Sequence, residues 1–204
     1  MGNKSGRSKM KIAYMTPQVG LTGEWRMWYR FFDEMVKRGH EINIVTNTFS
    51  KWWTPHLDDE FEKNINKYHA NKAGVLGNWS PADITFAHDT TTAYAAYTLS
   101  DKTIPVYYAQ HYEELFDPNI NWRLMARAAY GLPIHIMVGA VWMQKFIKKA
   151  FNRDVYLLEP GIQKIDARKY LDPTIDKFST TEKLNAMVYF RKGKFYGMGD
   201  ACRV

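Results

Sequence analysis

The feature that most constrains this chain is a β-α-β alternation compressed into residues 11–46. Residues 11–15 (KIAYM) form a short β-prone run. Residues 16–23 (TPQVGLTG) are rich in turn formers and predict a loop. Trp25, Trp28, Tyr29, Phe32, Met35 and Val36 then recur at the spacing of one helical face. Gly39 stands where a helix C-terminus wants a left-handed residue. Residues 42–46 (INIVT) are apolar on both faces, as a buried strand requires. Two strands joined through a helix run parallel, and a parallel sheet needs cover on both faces.

The alternation resumes beyond residue 80. Residues 83–87, 104–109, 134–138 and 155–158 read as strands, and 91–99, 120–130 and 141–151 as helices. Residues 50–80 are less regular. Phe61, Ile65 and Tyr68 hint at a helix, while Trp52, Trp53 and Trp79 follow no period. The expected architecture is α/β, a doubly wound parallel sheet of Rossmann-like type over residues 11–160. A basic tail, 1–10, would precede it. A polar connector, 161–182, would lead to residues 183–204, a strand and a Gly-rich basic turn that read as the start of a second domain. A core of that size cannot stand alone.

The formal charge of +7 is unevenly placed. Residues 1–11 hold four cations and no carboxylate, and 183–204 hold five cations against Asp200. Residues 12–182 hold 19 basic and 20 acidic side chains. The body is balanced, which makes nucleic acid an unlikely partner. The single cysteine, Cys202, excludes an internal disulfide and a Cys-rich zinc site. Together with the absence of a transmembrane run or an apolar leader, it leads us to expect a cytoplasmic protein.

Ligands of open α/β sheets bind at the carboxyl ends of the strands. Four loops therefore carry the candidates. Gly20 and Gly23 would let a ligand approach the backbone at a helix N-terminus, which favours an anion. Their spacing is not G-x-G-x-x-G, and Thr46 and Asn47 end the second strand without an acid, so a dinucleotide site is not indicated. His88 and Asp89 follow the strand at 83–87, with Asp89 equally able to cap the next helix. Gln110, His111, Tyr112, Glu113 and Glu114 follow the strand at 104–109 and could act as acid, base or hydroxyl-holding groups. Gly139 and Ala140 precede a helix whose free amides could meet an anion. No H-x-x-x-H or H-x-H spacing indicates a metal site, and neither a Gly-x-Ser-x-Gly nor a Walker motif is present.

Residues 11–46 resemble the opening of the family 4 nucleotide-sugar glycosyltransferases of the GT-B fold, through Pro17, Gly20, Gly23, Lys37, Gly39 and His40. Residues 105–151 are similar to the rhamnan-synthesis branch of that family through Gln110, Tyr112, Glu113, Phe116, Gly139 and Trp142, with His111 where the branch has Asp. Residues 159–162 (EPGI) resemble the interdomain P-x-G-I/V-D segment, with Gln163 for Asp. Arg191 and Gly197 fit the family's donor-loop outline, in which Tyr196 takes the Lys position and Lys194 lies close by.

The resemblance implies an acceptor-binding half of a metal-independent, retaining glycosyltransferase that moves a sugar from a nucleotide-sugar to a glycan or other acceptor. It uses no further cofactor. It implies His111 and Glu113 as catalytic groups, and Gly20, Gly23, His88 and Asp89 as acceptor or sugar contacts. Arg191 and Lys194 would hold the donor diphosphate, neutralising charge on the departing group. A chain of this extent would be incomplete for catalysis by itself and would need a complementing donor domain. The alternative is a non-catalytic binding or assembly module derived from such a domain. An edge strand at 185–190 would invite pairing with another chain, including a second copy.

Overall fold

The computed structural model describes residues 8–19, 23–49, 65–69, 82–115 and 118–159. Gly20, Trp52, Trp53, Arg191 and Lys194 lie outside the described residues, as do the connector at 161–182 and the segment at 183–204.

The elements are β1 (Lys11–Val19), α1 (Gly23–Lys37), β2 (Glu41–Phe49), β3 (Ile65–His69), β4 (Ile84–Ala87), α2 (Thr90–Tyr97) and β5 (Ile104–Ala109). A short 3-10 turn (Glu113–Leu115) follows, then α3 (Ile120–Ala129), β6 (His135–Val138), α4 (Val141–Phe151) and β7 (Val155–Leu157). All strand pairings are parallel, in the order β3-β2-β1-β4-β5-β6-β7. This is the doubly wound, Rossmann-like sheet expected from the alternation.

The pleat sends alternate side chains to opposite faces. Ile12, Tyr14, Ile42, Ile44, Phe86, Val106 and Tyr108 meet Trp25, Trp28 and Phe32 of α1. Met15, Val45, Ala87, Tyr107, Ala109, Ile136 and Val138 meet Ala93 and Ala96 of α2, Ala129 of α3, and Met143 and Ile147 of α4. Helices before and after the β1–β4 junction thus cover opposite faces. The sheet order reverses between β1 and β4, which makes their carboxyl ends the topological switch point.

The turn after α1 is built as its sequence requires. Gly39 takes φ +88°, its N–H bonds Val36 O at 2.8 Å, and the His40 N–H bonds Met35 O at 3.0 Å. These are the paired bonds of a Schellman stop, and only glycine adopts that φ without strain. His40 Nδ1 accepts the Met10 N–H at 3.1 Å, and the Glu41 N–H donates to Met10 O at 2.9 Å. The turn therefore aligns the starts of β1 and β2.

Two sequence expectations are corrected. Residues 16–19 continue β1 instead of forming a loop, because Gln18 and Val19 stay in register with Thr48 and Phe49 and Val19 is fully buried. β1 outruns β4 beyond Met15, so among the described residues it is paired there on one side only, where the missing N–H of Pro17 is tolerated. Residues 65–69 form an edge strand, not a helix. Ile65 is buried against the sheet, and Asn66 Nδ2 donates to Asn43 Oδ1 at 2.9 Å and to Glu41 Oε1 at 3.2 Å. Tertiary pairing overrides a local helical spacing there.

Candidate functional site

His88 directly follows β4, at the switch point. The His88 N–H is shared between Met15 O at 3.1 Å and Thr92 Oγ1 at 2.9 Å, which ties the end of β4 to β1 and to α2. Its Nδ1 lies 2.8 Å from the hydroxyl of the buried Tyr14. Burial lowers the His88 pKa to about 4; Asp89 opposes that shift and nearby His111 adds to it. The ring is neutral near pH 7. Where Tyr14 donates to Nδ1, the proton of the neutral ring sits on Nε2.

Asp89 is the N-cap of α2. Its Oδ1 accepts from the Thr92 N–H at 2.8 Å, from Thr92 Oγ1 at 2.7 Å and from Thr91 Oγ1 at 2.9 Å. Thr92 Oγ1 in turn accepts the Asp89 N–H at 2.9 Å, closing a capping box. Of the two readings of Asp89, the capping one is directly visible.

The loop after β5 is fastened to the same helix end by Glu113. Glu113 Oε2 accepts the Thr90 N–H and Oε1 accepts the Tyr107 hydroxyl, both at 2.9 Å. The Glu113 N–H donates to the Tyr130 hydroxyl at 3.0 Å, and that hydroxyl donates to His111 O at 3.1 Å. Burial pushes the Glu113 carboxyl above its ordinary value, while the Thr90 and Tyr107 donors pull it back. Burial likewise raises Tyr107 and Tyr130, so both remain hydroxyl donors. The rings of Tyr107, Tyr130 and Tyr112 stack in sequence, with centroids 5.6 and 5.3 Å apart. Tyr112 hydrogen-bonds Glu114, which also faces Arg127 at 3.5 Å and Arg123 at 4.0 Å.

The structure therefore brings His88, Asp89, His111 and Glu113 together at the carboxyl ends of β4 and β5. His111 is the exposed member, its main chain held by Tyr130. Gln110 stands beside it. Its Nε2 is buried and lacks a hydrogen-bond partner among the described residues, a donor that a ligand oxygen could satisfy. Gly23 opens α1, in place of a position within the loop. Ala140 is the N-cap of α4 and supplies no side-chain cap.

Residue-by-residue reading missed Tyr14, Thr92, Tyr107 and Tyr130. For Tyr14 and Tyr107 the signal available was a tyrosine in an otherwise apolar strand, since a buried hydroxyl needs a partner.

No family model matches the sequence, and no curated protein matches it. Solved structures do match in fold. Anabaena Alr3699/HepE, in complex with UDP and glucose, aligns with a TM-score of 0.51 at 14% identity, covering 76% of this chain and 45% of that one. An alpha-glucosyltransferase in complex with UDP and a 13-mer DNA containing an HMU base aligns with a TM-score of 0.50 at 16% identity, covering 80% and 45%. The chain thus spans about 45% of the length of these structures. At such identity the likeness concerns the fold, a single Rossmann-like sheet of the GT-B type.

Proposed function

We propose that this chain is the acceptor-binding part of a glycosyltransferase that uses a nucleotide-sugar donor, without a metal and with retention of configuration. The observation that carries the reading is the juxtaposition of His88, His111 and Gln110 at the carboxyl ends of β4 and β5. It lies beside the switch point of a sheet whose structural neighbours hold UDP, and in one case glucose. Imidazoles and an amide donor at the same strand ends suit sugar hydroxyls, which both donate and accept. His111 stands at the reacting centre. Glu113 serves it by fixing the loop, its own oxygens being held by Thr90 and Tyr107. Asp89 sets the N-terminus of α2 and so the position of His88. Gly20 and Gly23 let the acceptor or sugar approach the backbone closely. Arg191 and Lys194 hold the donor diphosphate.

Calorimetric titration of the full chain with UDP-glucose and with a panel of oligosaccharides tests this reading. Saturable binding of an oligosaccharide is expected, weakened about tenfold, or ~1.4 kcal/mol, by His111→Ala and by Gln110→Leu. Absence of saturable binding to every ligand, with a donor domain supplied in trans as well, would overturn it.

A further inference from the structure

α3 and α4 follow adjacent strands and lie on the same face of the sheet, so their outward surfaces share one side of the molecule. Their inward sides already supply the core: Ala126 and Ala129 from α3, Met143 and Ile147 from α4. The outward sides nevertheless carry large apolar groups. Ile120 is 60% exposed, Leu124 58%, Trp142 61% and Phe146 43%, joined by Leu115 at 52%. The two helices are connected at the surface, because the Tyr112 ring meets Phe146 edge-on at 4.9 Å while its hydroxyl bonds the Glu114 that faces Arg123 and Arg127.

Charge is segregated in the same place. Residues 118–153 contain six cations, Arg123, Arg127, Lys145, Lys148, Lys149 and Arg153, and no carboxylate. The remainder of 12–182 holds 13 cations against 20 carboxylates. Arg153 bonds the carbonyls of Tyr130, Leu132 and Ile134, while the other five cations belong to α3 and α4, whose exposed surface is therefore basic as well as apolar. Of the carboxylates near that face, Glu114 is largely covered and engaged by Arg123 and Arg127, and Asp154 lies 3.6 Å from Lys148.

We propose that the outward face of α3 and α4 docks this protein on an anionic lipid surface. Exposed Trp and Phe interleaved with Lys on short helices match the chemistry of the headgroup–acyl boundary. The aliphatic groups decide between polyanions. Leu115, Ile120 and Leu124 offer a nucleic acid neither a stacking plane nor a hydrogen bond, whereas a bilayer interface buries them. Leu115, Ile120 and Trp142 all sit near the carboxyl ends of the strands, so docking brings the His88–His111 end of the sheet close to lipid. The inference stands independently of the glycosyl-transfer reading.

Co-sedimentation of the full chain with phosphatidylcholine vesicles, with and without phosphatidylglycerol, tests it. Binding is expected only with phosphatidylglycerol and should weaken with added salt. The double variant Trp142→Glu, Phe146→Glu should lose at least about tenfold in partitioning, a change of ~1.4 kcal/mol. Lys145→Ala with Lys149→Ala, a purely surface change, should reduce binding in the same direction. Equal binding to neutral vesicles, no binding at all, or binding lost only on deletion of residues 1–10 overturns the proposal. So does tighter capture of a DNA duplex through the same side chains.

Discussion

The two faces of the sheet use aromatic residues in opposite ways. Under α1 the rings of Tyr14, Trp25, Trp28, Phe32, Phe86 and Tyr108 pack against one another, and Trp28 meets Phe32 in a stack at 5.2 Å and Tyr108 edge-on at 5.0 Å. Among the described residues the buried Trp28 Nε1 has no hydrogen-bond partner, so this ring serves as volume. Under α2, α3 and α4 the helices present Ala93, Ala96 and Ala129 beside Met143 and Ile147, and the buried rings are tyrosines: Tyr107 donates to the Glu113 carboxylate and Tyr130 accepts the Glu113 N–H. The first face is dominated by ring packing, with Tyr14 and Tyr108 bonding outward to His88 and Leu158 O, and the second ties its rings to one buried glutamate. A packed face resists truncation through lost volume, whereas a bonded face resists it through unmet donors.

The sharpest test of this contrast is Trp28→Ala. It empties a site with no exposed surface and should cost about 3–5 kcal/mol in denaturant unfolding. A cost below ~1 kcal/mol would show that the aromatic face is loosely packed.

The next test uses pH. The His88 pKa is lowered from 6.5 to about 4 in the folded protein, so the unfolded chain binds the proton more readily. Stability from this group is present above about pH 6.5 and is lost as pH falls toward about 4, by up to ~3 kcal/mol. Glu113 has the opposite sign, because its raised value favours the proton in the folded state and its contribution falls as pH rises. The difference between the wild-type and His88→Gln stability profiles isolates the histidine. Parallel profiles from pH 7 to pH 4 would contradict its burial as a neutral ring.

The smallest effects belong to the bonded face taken one group at a time. Glu113→Ala strands the Thr90 N–H and the Tyr107 hydroxyl and should cost about 2 kcal/mol, more than Glu113→Gln, which keeps an acceptor. Tyr130→Phe removes the bonds to His111 O and the Glu113 N–H, for about 1 kcal/mol. A double variant costing less than the sum of the two would show that they form one network.

Much of the sheet was legible because periodicity and turn chemistry are local. The face of α1, the stop at Gly39 and the apolar strands at 42–46 and 104–109 each follow from neighbours a few residues apart. Residues 65–69 were not legible, since five residues with one buried isoleucine become a strand only against β2. The candidate site was half legible. Strand ends pointed to His88, Asp89, His111 and Glu113, but nothing local distinguishes a carboxylate facing a ligand from one that caps a helix 23 residues earlier in the chain. The charge had the same ambiguity, because a neutral total says nothing about which cations share a face.

The sequence by itself determined the alternation of strands and helices and the parallel sense of the sheet. These depend on residue spacing and on the reach of short connections. The tertiary structure decided that Tyr14 meets His88, that Glu113 joins β5 to α2 through Thr90, and that the cations of α3 and α4 share a surface with Trp142 and Phe146. Those outcomes depend on strand order, which brings β4 beside β1 and sets two helices side by side, and strand order is a property of the packed sheet rather than of any segment.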